Sequence, residues 1–253
     1  MQQLATDFIN FRGKFRIGGL IDVGTQMSLI RRANGRYLLI DSYGVEGEDR
    51  GALLGLTDNG AKIDAILNVH PFHTLHCEFA HRIAPDARLL GTKRHREKAP
   101  SLPWDDALIE DAATQAEFAE ELEFSVPAGL ELVPDNERVH AASVLVRHRE
   151  SRIVHVDDTI NVLAAPGVLK SVVPQSRLKF HPTVQSALEK RAGAADAFAT
   201  WARDLAERWA DTPTVCAAHS AVRQLPHGGW RDEILGALAD TEKALSKHRG
   251  TYG

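Results

Sequence analysis

The chain carries 12 histidines against two cysteines and two methionines. Imidazole is the side chain most used for metal binding and for proton transfer near neutral pH. Three of these rings lie close together, at His70, His73 and His76 in Val-His-Pro-Phe-His-Thr-Leu-His. That density suits zinc or a similar ion. His73 and His76 are three apart and share a face wherever a helix begins. His70 precedes Pro71, which favours extended backbone. A surface cluster or a histidine-rich helix cap is the plainer reading of the same spacing. Other ligand-type residues fall beside expected strands: His140 ahead of the run starting at Ser143, Asp157 and Asp158 after Ile153–Val156, and His219 after Val215–Ala218. A metal pocket at one edge of a sheet would carry His and Asp residues in this way, because sites in open α/β architectures collect at the carboxyl ends of strands.

The remaining histidines have blander readings. His148 and His155 are expected on a hairpin as surface or half-buried residues. His81 and His95 stand among Arg and Lys, on a solvated face. His181, in Lys-Phe-His-Pro, reads as a loop residue able to line a pocket, His227 as a supporting group near His219, and His248 as terminal surface. Cys77 adjoins His76, but a buried small hydrophobe is the commoner state of such a cysteine. There is no Gly-x-Ser-x-Gly elbow and no Walker loop. The basic stretch Lys93 to Lys98 fits a solvated helix face better than a phosphate or RNA site.

These residues must be positioned by a mixture of strands and helices. Phe15–Val23, Met27–Arg32 and Tyr37–Asp41 read as strands, with a hairpin signal at Asn34-Gly35. Glu48–Leu56 reads as a helix stopped by Asp58-Asn59-Gly60. Lys62–Val69 is a buried strand running straight into His70, Thr74–Ile83 a helix and Ala87–Leu90 a strand, together a βαβ unit. Lys93–Trp104 reads as surface and Asp105–Glu123 as helix or loop. A second β-rich stretch has strands at Leu130–Val133, Ser143–Arg147 and Arg152–Val156. Ala194–Trp209 then places Phe198, Trp201, Leu205 and Trp209 on one helical face, Thr214–Ala217 is a short strand, and Gly229–His248 a closing helix. The two β-then-α halves suggest two sheets with helices outside, or one mixed α/β domain.

Composition narrows the function classes. With 253 residues, 43% hydrophobic, 25% charged and a net charge of −4, the chain is not disordered and is long enough to bury a large core. Thirty Lys and Arg against 34 Asp and Glu leave no global basic footprint for nucleic acid. Two distant cysteines exclude a disulfide scaffold, and there is no Cys-x-x-Cys. No apolar run reaches the length of a membrane span, and the charged N-terminus lacks the apolar core of a signal peptide. The expectation is one cytoplasmic domain over residues 1–253 that takes a small-molecule substrate, binds neither nucleic acid nor membrane, and is compatible with a homodimer.

The order of these residues resembles the metallo-β-lactamase superfamily over nearly the whole chain. In that family a strand is followed by a His-x-His-x-Asp-His loop, a downstream His near a hairpin, an Asp after the next strand and a late His after a short strand. His73-Thr74-Leu75-His76 resembles the second half of the loop, His140 the downstream ligand, Asp158 in Val-Asp-Asp-Thr the bridging carboxylate, and His219 in Cys-Ala-Ala-His-Ser the last ligand. The resemblance implies an α/β fold, a four-layer αββα sandwich of two mixed sheets packed face to face with helices outside. It implies one or two metal ions, zinc first, with iron or manganese as alternatives. His70, His73 and His140 would surround one site, and His76, Asp158 and His219 a weaker second one. The implied chemistry is hydrolysis of a small ester, thioester, lactone or related bond by a metal-activated water oriented by Asp158. The sequence departs from the pattern at Pro71, which stands at the first loop histidine, and at Leu75, which stands at the loop aspartate. Leucine neither ligates a metal nor positions water, so the alternative is a non-catalytic descendant of the fold used for metal binding, binding or assembly.

Overall fold

The computed structural model describes residues 1–17, 21–22, 24–162, 177–218 and 221–253. The chain divides into two units, residues 1–123 with 148–151, and residues 124–147 with 152–253.

In the first unit the strands are β1 (Gln2–Ala5), β2 (Phe8–Gly13), β3 (Arg16–Ile17), β4 (Ile21–Asp22), β5 (Thr25–Arg31), β6 (Tyr37–Ile40), β7 (Ile63–Leu67), β8 (Arg88–Gly91) and β9 (Trp104–Leu108). Helices α1 (Gly47–Thr57), α2 (Cys77–Ile83), α3 (Lys93–Lys98) and α4 (Ala112–Ala116) alternate with the later strands. The main sheet has the order β1-β2-β5-β6-β7-β8-β9. The β1–β6 part is antiparallel, and β6 to β9 run parallel through helical crossovers. The inner parallel strands β6, β7 and β8 are mostly apolar, as strands covered on both faces tend to be, while the edge strand β9 carries Asp105 and Asp106. On one face Ile9, Phe11, Met27, Leu29, Leu39, Ile66 and Leu89 pack with Leu53 of α1 and Ala80 and Ile83 of α2.

The opposite face of β2 and β5 holds a buried polar set. Asn10 donates to Gln26 Oε1 at 3.1 Å and to Ser28 Oγ at 3.0 Å. The long strand lies earlier than the one expected at Phe15–Val23, at Phe8–Gly13, where Asn10 interrupts the apolar run and masks the strand in the sequence. Only the short β3–β4 pair occupies the expected stretch among its described residues. The hairpin at Asn34-Gly35 forms, but Gly35 alone takes positive φ (79°), with its N–H donating to Arg32 O. Helix α1 ends as expected, through three successive left-handed residues: Asp58 (φ 53°), Asn59 (φ 55°) and Gly60 (φ 91°). A Cβ on Gly60 would lie 1.9 Å from the Ile83 carbonyl oxygen, so no other residue fits there.

The strand β10 (Leu122–Ser125) leads into the second unit, which continues with β11 (Leu145–His148), β12 (Val154–Val156), β13 (Ile160–Asn161), β14 (Lys179–Phe180), β15 (Thr214–Ala217) and β16 (Val222–Gln224). Its helices are α5 (Val184–Ala187), α6 (Ala194–Arg208) and α7 (Gly229–Tyr252). The five-stranded sheet has the order β10-β11-β12-β15-β16, mixed through a parallel β12–β15 pair, while β13 and β14 form a separate ribbon. Phe198, Trp201, Leu205 and Trp209 are all buried, as the helical spacing required, with Trp230, Ile234 and Leu245 of α7 in the same core. Trp201 Nε1 donates to Ser125 Oγ at 2.9 Å and Trp230 Nε1 to Leu205 O at 3.1 Å, so both buried indoles are satisfied.

Several expected elements differ. Leu130–Val133 is not a strand: Leu130 makes a single bridge to Leu188, because only one pair of residues comes into register there. The Asp105–Glu123 stretch contributes β9 and β10 as well as α4. The Lys93–Trp104 stretch is not all surface, since α3 turns His95 into the interior. His148, His155 and His248 are buried rather than superficial. Each has a polar partner that sequence spacing does not show: His148 Nδ1 lies 2.8 Å from Ser151 Oγ, His155 Nε2 lies 3.9 Å from Asp157, and His248 Nε2 lies 2.9 Å from Glu189 O. Among the described residues no helix is long and apolar enough to cross a membrane.

Candidate metal centre

In the first unit, β7 delivers its last residues into a tightly bonded junction. Asp41, at the end of β6, has φ 58°, an uncommon backbone state for a non-glycine residue. Its carboxylate accepts the Val69 N–H at 2.8 Å, which locks the chain one residue before His70. His70 is fully buried, and Phe72 N–H donates to its Nδ1 at 3.1 Å. His73 N–H donates to His70 O at 3.0 Å, and this turn stacks the two rings with centroids 4.1 Å apart. Helix α2 begins only at Cys77, so His73 and His76 do not share a helical face as expected. His76 instead occupies the N-cap position, half-buried and edge-on to Tyr43 at 5.8 Å. Burial, with the neighbouring His73 next, lowers its pKa. Leu75 is 72% exposed.

His95 belongs to this neighbourhood, which sequence reading missed. Its Nδ1 accepts the Thr92 N–H at 3.1 Å, closing the first turn of α3, and its ring is 5.4 Å from Trp104. Burial, reinforced by His70 and His73, pushes its pKa down to about 3, so it is a neutral imidazole at ordinary pH. Cys77 is no nucleophile: burial, with Asp41 adding to it, pushes its thiol up to about 12.

In the second unit, β12 ends at Val156 and the chain turns through Asp157, Asp158 and Thr159, all buried. Thr159 Oγ1 accepts the Ser143 N–H at 2.8 Å and lies 3.0 Å from Ser143 Oγ, tying the segment that carries His140 to the turn that carries Asp158. Asn161 Nδ2 donates to Asp158 O at 2.9 Å and holds the turn from the other side. His140 Nε2 is 3.9 Å from Asp158 Oδ2, with the carboxylate almost wholly buried and the imidazole 41% exposed. His181 joins them: its ring centroid is 5.5 Å from that of His140, and donor atoms of His140, Asp158 and His181 lie within 4.8 Å of one another. His219 lies outside the described residues.

The second unit therefore brings His140 and Asp158 together and adds His181, while the first unit brings His70 and His73 together and sets His76 apart at the helix cap. The two-nitrogen, one-oxygen set at His140, Asp158 and His181 fits zinc by donor type. Tetrahedral bonds of about 2 Å would draw such atoms to roughly 3.3 Å apart. The 3.9 Å separation of His140 and Asp158 is within a small side-chain adjustment of that.

No protein-family model and no curated protein matches the chain. Solved structures do. A metallo-β-lactamase from Erythrobacter litoralis, with β-mercaptoethanol in its active site, superposes with a TM-score of 0.62 at 15% identity over 96% of this chain and 95% of that one. The metallo-β-lactamase FIM-1 from Pseudomonas aeruginosa, in its mono-zinc form, gives 0.61 at 13% identity over 96% and 94%. A metallo-β-lactamase from Hirschia baltica gives 0.59 at 13% over 94% and 95%. The protein thus has the α/β fold of the metallo-β-lactamases, built on mixed seven- and five-stranded sheets with helices.

Proposed function

We propose that the protein is a cytoplasmic, zinc-dependent hydrolase that cleaves a small ester, thioester, lactone or related bond. The observation that carries this reading is the buried Asp158 carboxylate 3.9 Å from the half-exposed His140, at the end of a strand in a metallo-β-lactamase fold. A carboxylate buried this deeply calls for a cation or a strong hydrogen-bonding set around it. The resemblance supplies His70, His73, His76, His140, Asp158 and His219 as candidate ligands, with iron or manganese as alternative ions. When bound, zinc lowers the pKa of its water towards neutrality and polarises the scissile carbonyl. Asp158 would orient the attacking water or bridge two ions. His140 stands at the solvent-facing side, where a small substrate enters.

Leu75 favours a second reading, a metal-binding but non-catalytic protein, because an exposed leucine supplies neither ligand nor base where the resemblance places an aspartate. One experiment separates the two. The purified protein is assayed for metal content and for turnover of a panel of esters, thioesters and lactones, with and without chelator. Near-stoichiometric zinc with turnover lost on chelation and in His140→Ala supports the hydrolase. Stoichiometric zinc without turnover supports the second reading. Less than about a tenth of an equivalent of metal after zinc loading refutes both, since a true site approaches stoichiometry.

A further inference from the structure

We propose that His181 is a protein ligand, completing with His140 and Asp158 a three-residue metal site contained within the second unit. The family resemblance does not supply this residue, and its placement follows from local structure. The β13–β14 ribbon pairs Ile160 with Phe180 and Asn161 with Lys179. The residue after Phe180 is thereby brought alongside the turn that carries Asp158 and Thr159. Phe180 is buried, with its ring 5.0 Å from Phe198 and 6.0 Å from Trp201, so α6 anchors the strand that presents His181. Pro182 restricts His181 to extended backbone.

The ring is also oriented. Thr183 N–H donates to its Nδ1 at 3.2 Å, and the same nitrogen lies 2.7 Å from Thr183 Oγ1. Thr183 thereby fixes the plane of the imidazole from its Nδ1 side. Two imidazoles and one carboxylate leave open positions on the ion. That pattern belongs to catalytic zinc sites and to iron(II) sites with two histidines and a carboxylate, not to closed structural sites. The exposure of His140 provides the approach to those positions. The inference rests on the metal-dependent reading only for what the ion is for.

The test uses the metal-free full-length protein titrated with zinc and, separately, with cobalt(II), read by calorimetry and by the visible absorption of bound cobalt. His181→Ala is expected to weaken zinc at least 100-fold and to change the cobalt spectrum. Thr183→Val is expected to weaken zinc about tenfold, the lower end of what loss of an orienting hydrogen bond costs. His181→Cys gives a positive signature: if position 181 ligates, an intense near-ultraviolet thiolate-to-cobalt band appears that the wild type lacks. This variant keeps the test decisive should the alanine variant fold poorly. Wild-type zinc affinity and an unchanged cobalt spectrum in His181→Ala, or a folded His181→Cys that binds cobalt without that band, overturns the assignment and leaves the hydrolase reading standing. A wild type that binds neither metal overturns both.

Discussion

The hydrogen bond between Thr159 and Ser143 makes the most exposed prediction, because it joins the two segments that bring His140 and Asp158 together. Thr159 is fully buried, and its Oγ1 both accepts the Ser143 N–H at 2.8 Å and pairs with Ser143 Oγ at 3.0 Å. Thr159→Val preserves the shape and removes the oxygen. The hydroxyl pair, worth about 0.5–1.5 kcal/mol, is lost, and the buried Ser143 main-chain N–H is left without its acceptor, at about 1–3 kcal/mol. The expected destabilisation is therefore about 2–4 kcal/mol, or a fall in melting temperature of roughly 5–15 °C for a chain of this size. Ser143→Ala removes only the hydroxyl pair and is expected to cost about 1 kcal/mol. In the double variant that hydroxyl has already lost its partner, so the two costs should fall short of additive by about 0.5 kcal/mol or more. Urea unfolding of the wild type, both single variants and the double variant measures the cycle, and calorimetry on the same proteins measures zinc affinity, which falls with Thr159→Val. A Thr159→Val protein within 0.5 kcal/mol of wild type, or strict additivity, would refute the reasoning.

Three further outcomes follow from the same geometry. His95 has a folded pKa of about 3 against an unfolded value near 6.5. The unfolded chain therefore binds the extra proton, and the stability from burying neutral His95 is full above pH 6.5 and lost as the pH falls towards 3. The slope is at most about 1.4 kcal/mol per pH unit; urea midpoints of metal-free protein should drop between pH 7 and pH 5, and His95→Gln should flatten that drop. Cys77 and Cys216 are both buried thiols, and burial pushes the Cys77 thiol up to about 12, so iodoacetamide at pH 8 should leave the native protein unlabelled by mass spectrometry, and rapid labelling of Cys77 would contradict its burial. Gly60→Ala forces a Cβ against the Ile83 carbonyl at a positive φ, and a thermal midpoint unchanged from wild type would show that the α1–β7 turn is not built as described.

Some of this protein could be read from residue types and spacing. The mostly apolar run Ile63–Leu67 gave a buried strand because inner parallel strands are covered on both faces, and His70 follows it as expected. The 3.6-residue period put Phe198, Trp201 and Leu205 on the buried face of α6. His181 and His95 were missed for the opposite reason. Neither lies in a periodic segment. His181 is placed by a ribbon two residues long, too short to show a pattern, and His95 is turned inward by the cap of a six-residue helix whose other residues are charged. The N-terminal strand was displaced in the reading because Asn10 is satisfied by Gln26 and Ser28, residues distant in sequence.

The sequence by itself determined the kind of chemistry on offer. The order of histidines and aspartates beside strands resembled that of the metallo-β-lactamases, and that resemblance pointed to their α/β fold and offered candidate metal ligands. Tertiary structure decided which of those residues meet within each unit. His140 reaches Asp158 because Thr159 clamps Ser143, and His181 arrives because Phe180 is anchored on α6. Local spacing fixes which residues share a strand or a helical turn. A donor set is assembled by pairings between residues 16 to 41 positions apart, whose energies reside in burial and hydrogen bonds that appear only once the chain has folded.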